Sequence, residues 1–183
     1  MTARLAVVDP SGHGHRELFT TSRDVDLAAH LKSLARGQRL TGVAVATGPG
    51  SFTGLRVGAS FGLGLAKGLG IPLYPLPTLD LHAVRSDSPA TAVVEAGRGR
   101  VYYRLPGGEP ALGEPAEVPT THPLVGNVSL QTELALIGAG HHFRPEQELR
   151  SFSEAAALLL KTAREVPYSS LKLEYMQSFS ASK

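Results

Sequence analysis

The amino-acid sequence predicts an α/β protein built as two related lobes. Three features carry that prediction: short apolar runs that break at glycine- and proline-rich turns, stretches of helical apolar spacing between them, and a later strand-turn-strand pattern repeating the theme in shorter form. The first lobe is placed at residues 1–90 and a smaller second lobe at residues 91–183.

The first apolar run, residues 5–8, stops at Asp9, Pro10, Ser11 and Gly12, the pattern of a strand entering a turn, and residues 17–21 return as its partner. From Asp24 onward Leu27, Leu31, Leu34 and Ala35 recur at helical spacing, Lys32 and Arg36 lie in the closing turn, and Gly37 follows as a stop. An amphipathic helix over residues 24–36 is therefore expected. Residues 43–46 form a second buried strand, 55–69 a second helix that ends before Pro72, 73–76 a further strand and 79–84 a short helix. TAVVEA, the turn GRG and RVYYRL follow as a hairpin. Residues 106–123, rich in proline, glycine and glutamate, are expected as a surface loop or inter-lobe connection. Residues 134–137 are expected as a last buried strand closed by Gly138 and Gly140, and 154–164 as an Ala/Leu-rich helix. The tail from Pro167, with Tyr168, Tyr175 and Phe179, shows no period and is expected to be irregular.

Composition narrows the function classes. With 183 residues, 42% of them apolar, the chain can bury a core. A formal charge of +2 and a pI near 9.0 are too slight a basic lean to mark a nucleic-acid binder by themselves. The absence of cysteine excludes disulfides, a thiolate nucleophile and cysteine-ligated zinc. The apolar stretch in RLAVVDP is too short for a signal peptide, and no apolar run approaches the roughly 20 residues of a membrane span, so a cytoplasmic protein without membrane contact is expected.

The stretch GPGSFTGLRVG, residues 48–58, follows the apolar run TGVAVAT and opens the second helix. A strand passing through glycines into a helix N-terminus is the general form of an anion site, because unpaired amides and the positive dipole end converge there. Gly48, Gly50, Ser51, Thr53 and Arg56 are accordingly candidates for phosphate or nucleotide contact. The Walker pattern nevertheless fails, since Gly54 is followed by Leu55 and Arg56 instead of lysine and a hydroxyl residue. The dinucleotide pattern fails at its sixth place, where Thr53 stands after Gly48 and Gly50. Ser51 is no hydrolase nucleophile either, because Pro49 and Thr53 occupy the places where the elbow needs glycine. Capping the following helix suits Ser51 or Thr53.

Within that helix Gly54, Gly58, Gly62 and Ala66 repeat every four residues as a stripe of nearly bare backbone. Each glycine costs up to about 1 kcal/mol of helix propensity relative to alanine, and Gly64 and Gly68 add to the penalty. Close packing must offset it. The stripe serves either a second helix approaching from another subunit or the protein's own sheet. Val57, Phe61, Leu65 and Leu69 form a neighbouring apolar stripe suited to the protein's own core, with Arg56, Ser60 and Lys67 on the polar side.

With VAVAT upstream and AKGLGIPL downstream, GPGSFTGLRVG resembles the signature region of the TsaB (YeaZ) family of bacterial tRNA threonylcarbamoyladenosine factors, and the likeness extends more loosely over residues 5–105. The resemblance implies the actin-like ATPase fold (ASKHA, RNase H-like duplicated), here with an abbreviated second lobe. It implies a non-catalytic subunit of the threonylcarbamoyl transferase complex, in which TsaD modifies the tRNA adenosine adjacent to the anticodon and TsaE, a small ATPase, is the third component. It further implies a heterodimer with TsaD, a homodimer in isolation through the same surface, and only indirect contact with tRNA. Carried over, that surface comprises Leu27, Leu31 and Leu34 of the first helix with Gly54, Leu55, Gly58, Gly62 and Ala66 of the second. No intrinsic cofactor is implied; whether ATP or ADP binds at a composite site in the complex is left open by the sequence. Two departures stand out: Asp9, Pro10 and Ser11 replace the usual Asp-Thr-Ser, and Glu95, Ala96 and Gly97 precede Arg98 where relatives often read Asp-Ala-Arg.

Other constellations are weaker. His13 and His15 flank Gly14, and His141 and His142 are adjacent, but neither pair has a visible third ligand, so no metal site is expected; the His-x-x-x-His spacing of TsaD is absent. Arg98, Arg100, Tyr102 and Arg104 alternate, and on a strand they share one face that suits RNA contact or is simply solvated. An actin-like ATPase or small-molecule kinase acting alone is the alternative reading, but it needs metal-positioning acids in both lobes and only Asp9 is obviously placed. A dinucleotide-dependent enzyme is disfavoured by Thr53.

Overall fold

The computed structural model describes residues 3–9, 16–20 and 26–175. Strands β1 (Ala3–Val7) and β2 (Arg16–Thr20) pair antiparallel, and Arg4 meets Glu17 at 3.0 Å across the pair. Helix α1 (Leu27–Leu34) begins where Asp26 accepts a hydrogen bond from the Ala29 amide at 2.9 Å, and it packs on β1 and β2. The expected start at Asp24 lies outside the described residues, and Arg36 lies beyond the helix end.

The next unit runs β3 (Val43–Gly48), α2 (Phe52–Leu69), β4 (Leu73–Pro77), with the two strands parallel and the helix as their crossover. Ser51 is the cap of α2, its hydroxyl accepting from the Gly54 amide at 3.3 Å, and Gly70 ends the helix in the left-handed conformation at φ +64°. Val43, Val45, Ala66 and Leu73 form the core between helix and strands. Helix α3 (Thr78–Ala83) follows directly.

The expected hairpin is present as β5 (Thr91–Gly97) and β6 (Arg100–Arg104). Two further strands widen it into a four-stranded sheet in the order β7-β6-β5-β8, with β7 (Ala111–Gly113) antiparallel to β6 and β8 (Leu124–Asn127) parallel to β5. Alternation along β5 and β6 divides the core. Val93 and Val101 join Val118, Leu124 and Leu136 in one cluster, while Ala92, Val94 and Tyr102 join Leu79 of α3 in another.

Two sequence expectations are corrected here. Residues 134–137 are not a strand but part of helix α4 (Leu130–Gly138), capped by Ser129, whose hydroxyl accepts from the Thr132 amide at 3.3 Å. The buried residues Thr132 and Leu136 stand four apart, whereas Leu134 and Ile137 are exposed, so the run LALI belongs to a helix with one buried face. The last strand is β8 instead. Its four residues include Gly126, where an added Cβ would lie 1.7 Å from the Val93 carbonyl oxygen, so a glycine that looks like a strand breaker is what this tight approach requires. Residues 106–123 are likewise more than a loop: they supply β7 and the buried Val118.

Helix α5 (Phe152–Leu160), closed at its start by a Ser151–Glu154 capping box, packs against α3, β1, β2 and β4. The guanidinium groups of Arg4 and Arg85 each lie 4.2 Å from the Phe152 ring centroid, His82 meets the same ring edge-on at 5.2 Å, and the Ser153 amide donates to Glu17 at 2.9 Å. Burial, with Arg85 and Arg4 nearby, pushes the His82 pKa down to about 3, so the imidazole is neutral. The tail is irregular but anchored: Val166 N donates to Leu73 O at 2.9 Å, and the Tyr168 hydroxyl lies 2.9 Å from Ile71 O and 3.2 Å from Ala66 O. Elements of the 91–183 half thus rest on the first half of the chain. Phe179 lies outside the described residues.

Candidate docking face at the glycine-rich turn

The turn after β3 is held from both sides. The Gly48 amide donates to the Thr78 hydroxyl at 3.1 Å, and the Thr47 carbonyl accepts from the Glu174 amide at 2.8 Å. Gly48 is at φ +108°, and a Cβ there would lie 2.7 Å from the Glu174 carbonyl oxygen, so both conformation and space demand glycine. The Glu174 carboxyl is held above the ordinary carboxylate range by desolvation first and by Asp80 second, against the opposing pull of Arg104. Asp80 itself is ion-paired with Arg104.

These surroundings do not fit a phosphate on this chain alone. The chain's own backbone fills the space beside Gly48, and the Ser51 hydroxyl is engaged as the helix cap. Arg56 lies with its guanidinium 4.4 Å from the centroid of the Phe52 ring. Thr53 and Gly50 are open to solvent or nearly so.

The stripe of small residues on α2 divides. Gly62 and Ala66 face the protein's own sheet: a Cβ on Gly62 would lie 2.2 Å from Val45 Cγ1, and Ala66 is fully buried. Their assignment to a partner surface is corrected for that reason. Gly58 is exposed with no neighbouring atom within 4 Å of an added Cβ, and Gly54 is half-buried with only Ser51 beside it. Gly64 and Gly68 are equally open. The apolar stripe is corrected in the opposite sense. Leu65 packs on the core, but Val57 and Leu69 stand 36% and 53% exposed. A helix thus turns its bare backbone inward at Gly62 and part of its apolar surface outward. Leu55 is half-buried against Gly48, and Leu27, Leu31 and Leu34 are half-buried on α1.

Arg98, Arg100, Tyr102 and Arg104 do not make one exposed face. Arg98 is in the hairpin turn at φ +57°, Tyr102 is only 5% exposed and packs with Leu79, and Arg104 is paired with Asp80. The strand alternation is right, but α3 covers that side. His13 and His15 lie outside the described residues, His141 is buried and His142 exposed, and no group of His, Asp and Glu placed for a metal ion occurs among the described residues. Glu95 is engaged at the start of α4, where its two oxygens accept from the Ser129 amide at 2.9 Å and the Thr132 hydroxyl at 3.0 Å. Sequence reasoning missed Thr78, Glu174 and Tyr168, whose contacts with the turn and α2 join residues at least 30 positions apart and carry no local motif. No described helix is long and apolar enough to cross a membrane.

Comparison with known proteins adds to this geometry. The family model for TsaD, tRNA N6-adenosine threonylcarbamoyltransferase, matches residues 28–113. An uncharacterized protein of Mycobacterium leprae is 38% identical over 86 residues, covering 43% of this chain and 23% of that protein. The tRNA threonylcarbamoyladenosine biosynthesis protein TsaB of Bacillus subtilis is 37% identical over 71 residues, covering 37% of this chain and 31% of that protein. The chain therefore aligns with less than a third of the length of either curated relative. YeaZ from Pseudomonas aeruginosa has the same fold, with a TM-score of 0.71 and 17% identity over 96% of this chain and 94% of that one. That likeness gives the actin-like, RNase H-like α/β fold.

Proposed function

We propose, from the chain's likeness to TsaB and YeaZ proteins, that it belongs to the TsaB (YeaZ) family and acts in tRNA threonylcarbamoyladenosine synthesis as a non-catalytic subunit that docks TsaD. The observation that carries this reading is the outward face of α2. Exposed Val57 and Leu69 stand beside Gly58, Gly64 and Gly68, where no atom fills the space, so a second helix can approach the backbone closely at little steric cost. The half-buried leucines of α1 extend the same proposal to that helix.

In this reading TsaD and a second copy of the chain compete for one face, TsaE joins through the assembly, and tRNA is reached through TsaD. ATP or ADP binds at a composite site with those partners, since the covered surroundings of Gly48 do not suit phosphate on this chain alone.

Mixing the purified chain with TsaD and TsaE, with and without ATP, tests the reading on a sizing column and in a tRNA modification assay. Co-elution with TsaD, and modification only by the mixture, is the expected result. ATP turnover by the chain alone that disappears in Asp9→Ala would overturn it in favour of an independent ATPase.

A further inference from the structure

We propose that the groove between α2 and residues 168–173 is a docking site for an apolar, acid-flanked segment of a protein partner, and that residues 171–175 are the strap forming its far wall. The proposal rests on the TsaD-docking reading and extends that face to residues outside α1 and the outward ridge of α2. The groove encloses about 230 Å³. Ala59 and Leu63 form its helix side, Tyr168, Leu171 and Leu173 the opposite side, and Arg56 and Ser60 complete the lining.

The far wall is a built feature. Tyr168 is tied through its hydroxyl to the carbonyls of Ile71 and Ala66, and the Glu174 amide is tied to Thr47. Between these anchors Leu171 and Leu173 line the groove opposite the helix, and Leu171 also packs on the core of Val43, Val45, Ala66 and Leu73. Beyond the second anchor Tyr175 packs on Phe52 with ring centroids 5.1 Å apart, yet Phe52 and Tyr175 remain 49% and 44% exposed. Two uncovered aromatic rings next to an apolar groove are the composition of an interface centre.

Charge and chemistry choose the occupant. Arg56, Lys67 and Lys172 are exposed cations, the first two on the helix row that also carries Ser60 and Leu63, so acidic side chains on the partner complement the rim. RNA is a poorer fit, because Arg56 is the one cation in the lining, so the groove offers no row of donors for successive phosphates. Since the groove loses one wall when the strap lifts, seating of the strap and docking of the partner are coupled, and each strengthens the other.

Two variants of the full chain separate the parts. Leu173→Glu should speed hydrogen exchange at the Glu174 amide at least about 10-fold and weaken TsaD binding by a similar factor. Ser60→Trp, which fills the groove from an exposed helix position, should leave that exchange unchanged and weaken TsaD binding equally. Wild-type binding by Ser60→Trp would overturn the docking site, and exchange of the Glu174 amide at the free-peptide rate in the parent chain would overturn the strap. Failure of the parent chain to bind TsaD would defeat the partner reading, and the docking site with it, while the exchange measurement still decides the strap. Displacement of labelled tRNA by Ser60→Trp, with TsaD binding intact, would replace the protein occupant with RNA.

Discussion

Gly62 and Gly58 occupy adjacent places on one stripe of α2, yet the two ends of that stripe obey different constraints. At Gly62 the helix meets β3 so closely that a methyl group would overlap Val45, whereas at Gly58 the same methyl group would meet nothing within 4 Å. A four-residue spacing drifts around the helix by about 40° per step, so a stripe that is outward at Gly58 has turned inward at Gly62 and Ala66. Small residues on a helix therefore carry two meanings, and spacing alone does not separate them. The inner end is explained by the fold, which leaves the outer end, with Gly64 and Gly68, in need of a partner.

That contrast is sharpest under substitution. Gly62→Leu should destabilise the isolated protein by at least about 3 kcal/mol, as overpacking against backbone-anchored strands does at its severe end, and urea unfolding would measure it. Gly58→Leu should leave stability within about 1 kcal/mol of the parent, because the added side chain replaces only glycine's poor helix propensity. It should instead weaken TsaD binding at least about 10-fold, a loss of about 1.4 kcal/mol, read by co-elution or calorimetry. Equal loss of stability in the two variants would break the distinction between the faces.

Much of the fold was legible because its first half is built from local signals. The strand, capped helix and strand of residues 43–77 announce themselves through apolar runs, Ser51 and Gly70. The second half was less legible where packing overrode local pattern: LALI resembles a buried strand in isolation, and LVGN hides one because Gly126 is there to let β5 approach. The candidate site was legible only in part. Its helix was visible, but which side faced out depended on where β3 lay, and its far wall comes from residues more than 90 positions away.

Two smaller effects refine the comparison. Tyr168→Phe should cost about 1 kcal/mol by thermal or urea unfolding, since it deprives the Ala66 and Ile71 carbonyls of one shared, partly buried donor on the inner side of α2. Gly64→Ala on the open side should stabilise the isolated chain by up to about 1 kcal/mol, through helix propensity and a less flexible unfolded state. A destabilising Gly64→Ala would mean that the outer face is already covered in the isolated protein.

The smallest expected effect concerns Glu174, where the strap crosses the turn. Its carboxyl titrates above the ordinary value of 4.5 because desolvation and then Asp80 disfavour the charge, with Arg104 opposing them. A raised value means that the seated strap binds the proton more tightly than the free chain does. Its favourable contribution is therefore fully present below the ordinary carboxylate value and is lost as pH rises through the raised one. Because the carboxyl is largely exposed to solvent, the change should be slight. Hydrogen exchange at the Glu174 amide, corrected for intrinsic rates, should become slower relative to the free peptide as pH falls from neutrality toward the ordinary carboxylate value. Glu174→Gln should remove that dependence and hold the slower behaviour at neutral pH. The opposite slope would show that Arg104, rather than desolvation and Asp80, governs the carboxylate, and the strap would then be seated most firmly when Glu174 is charged.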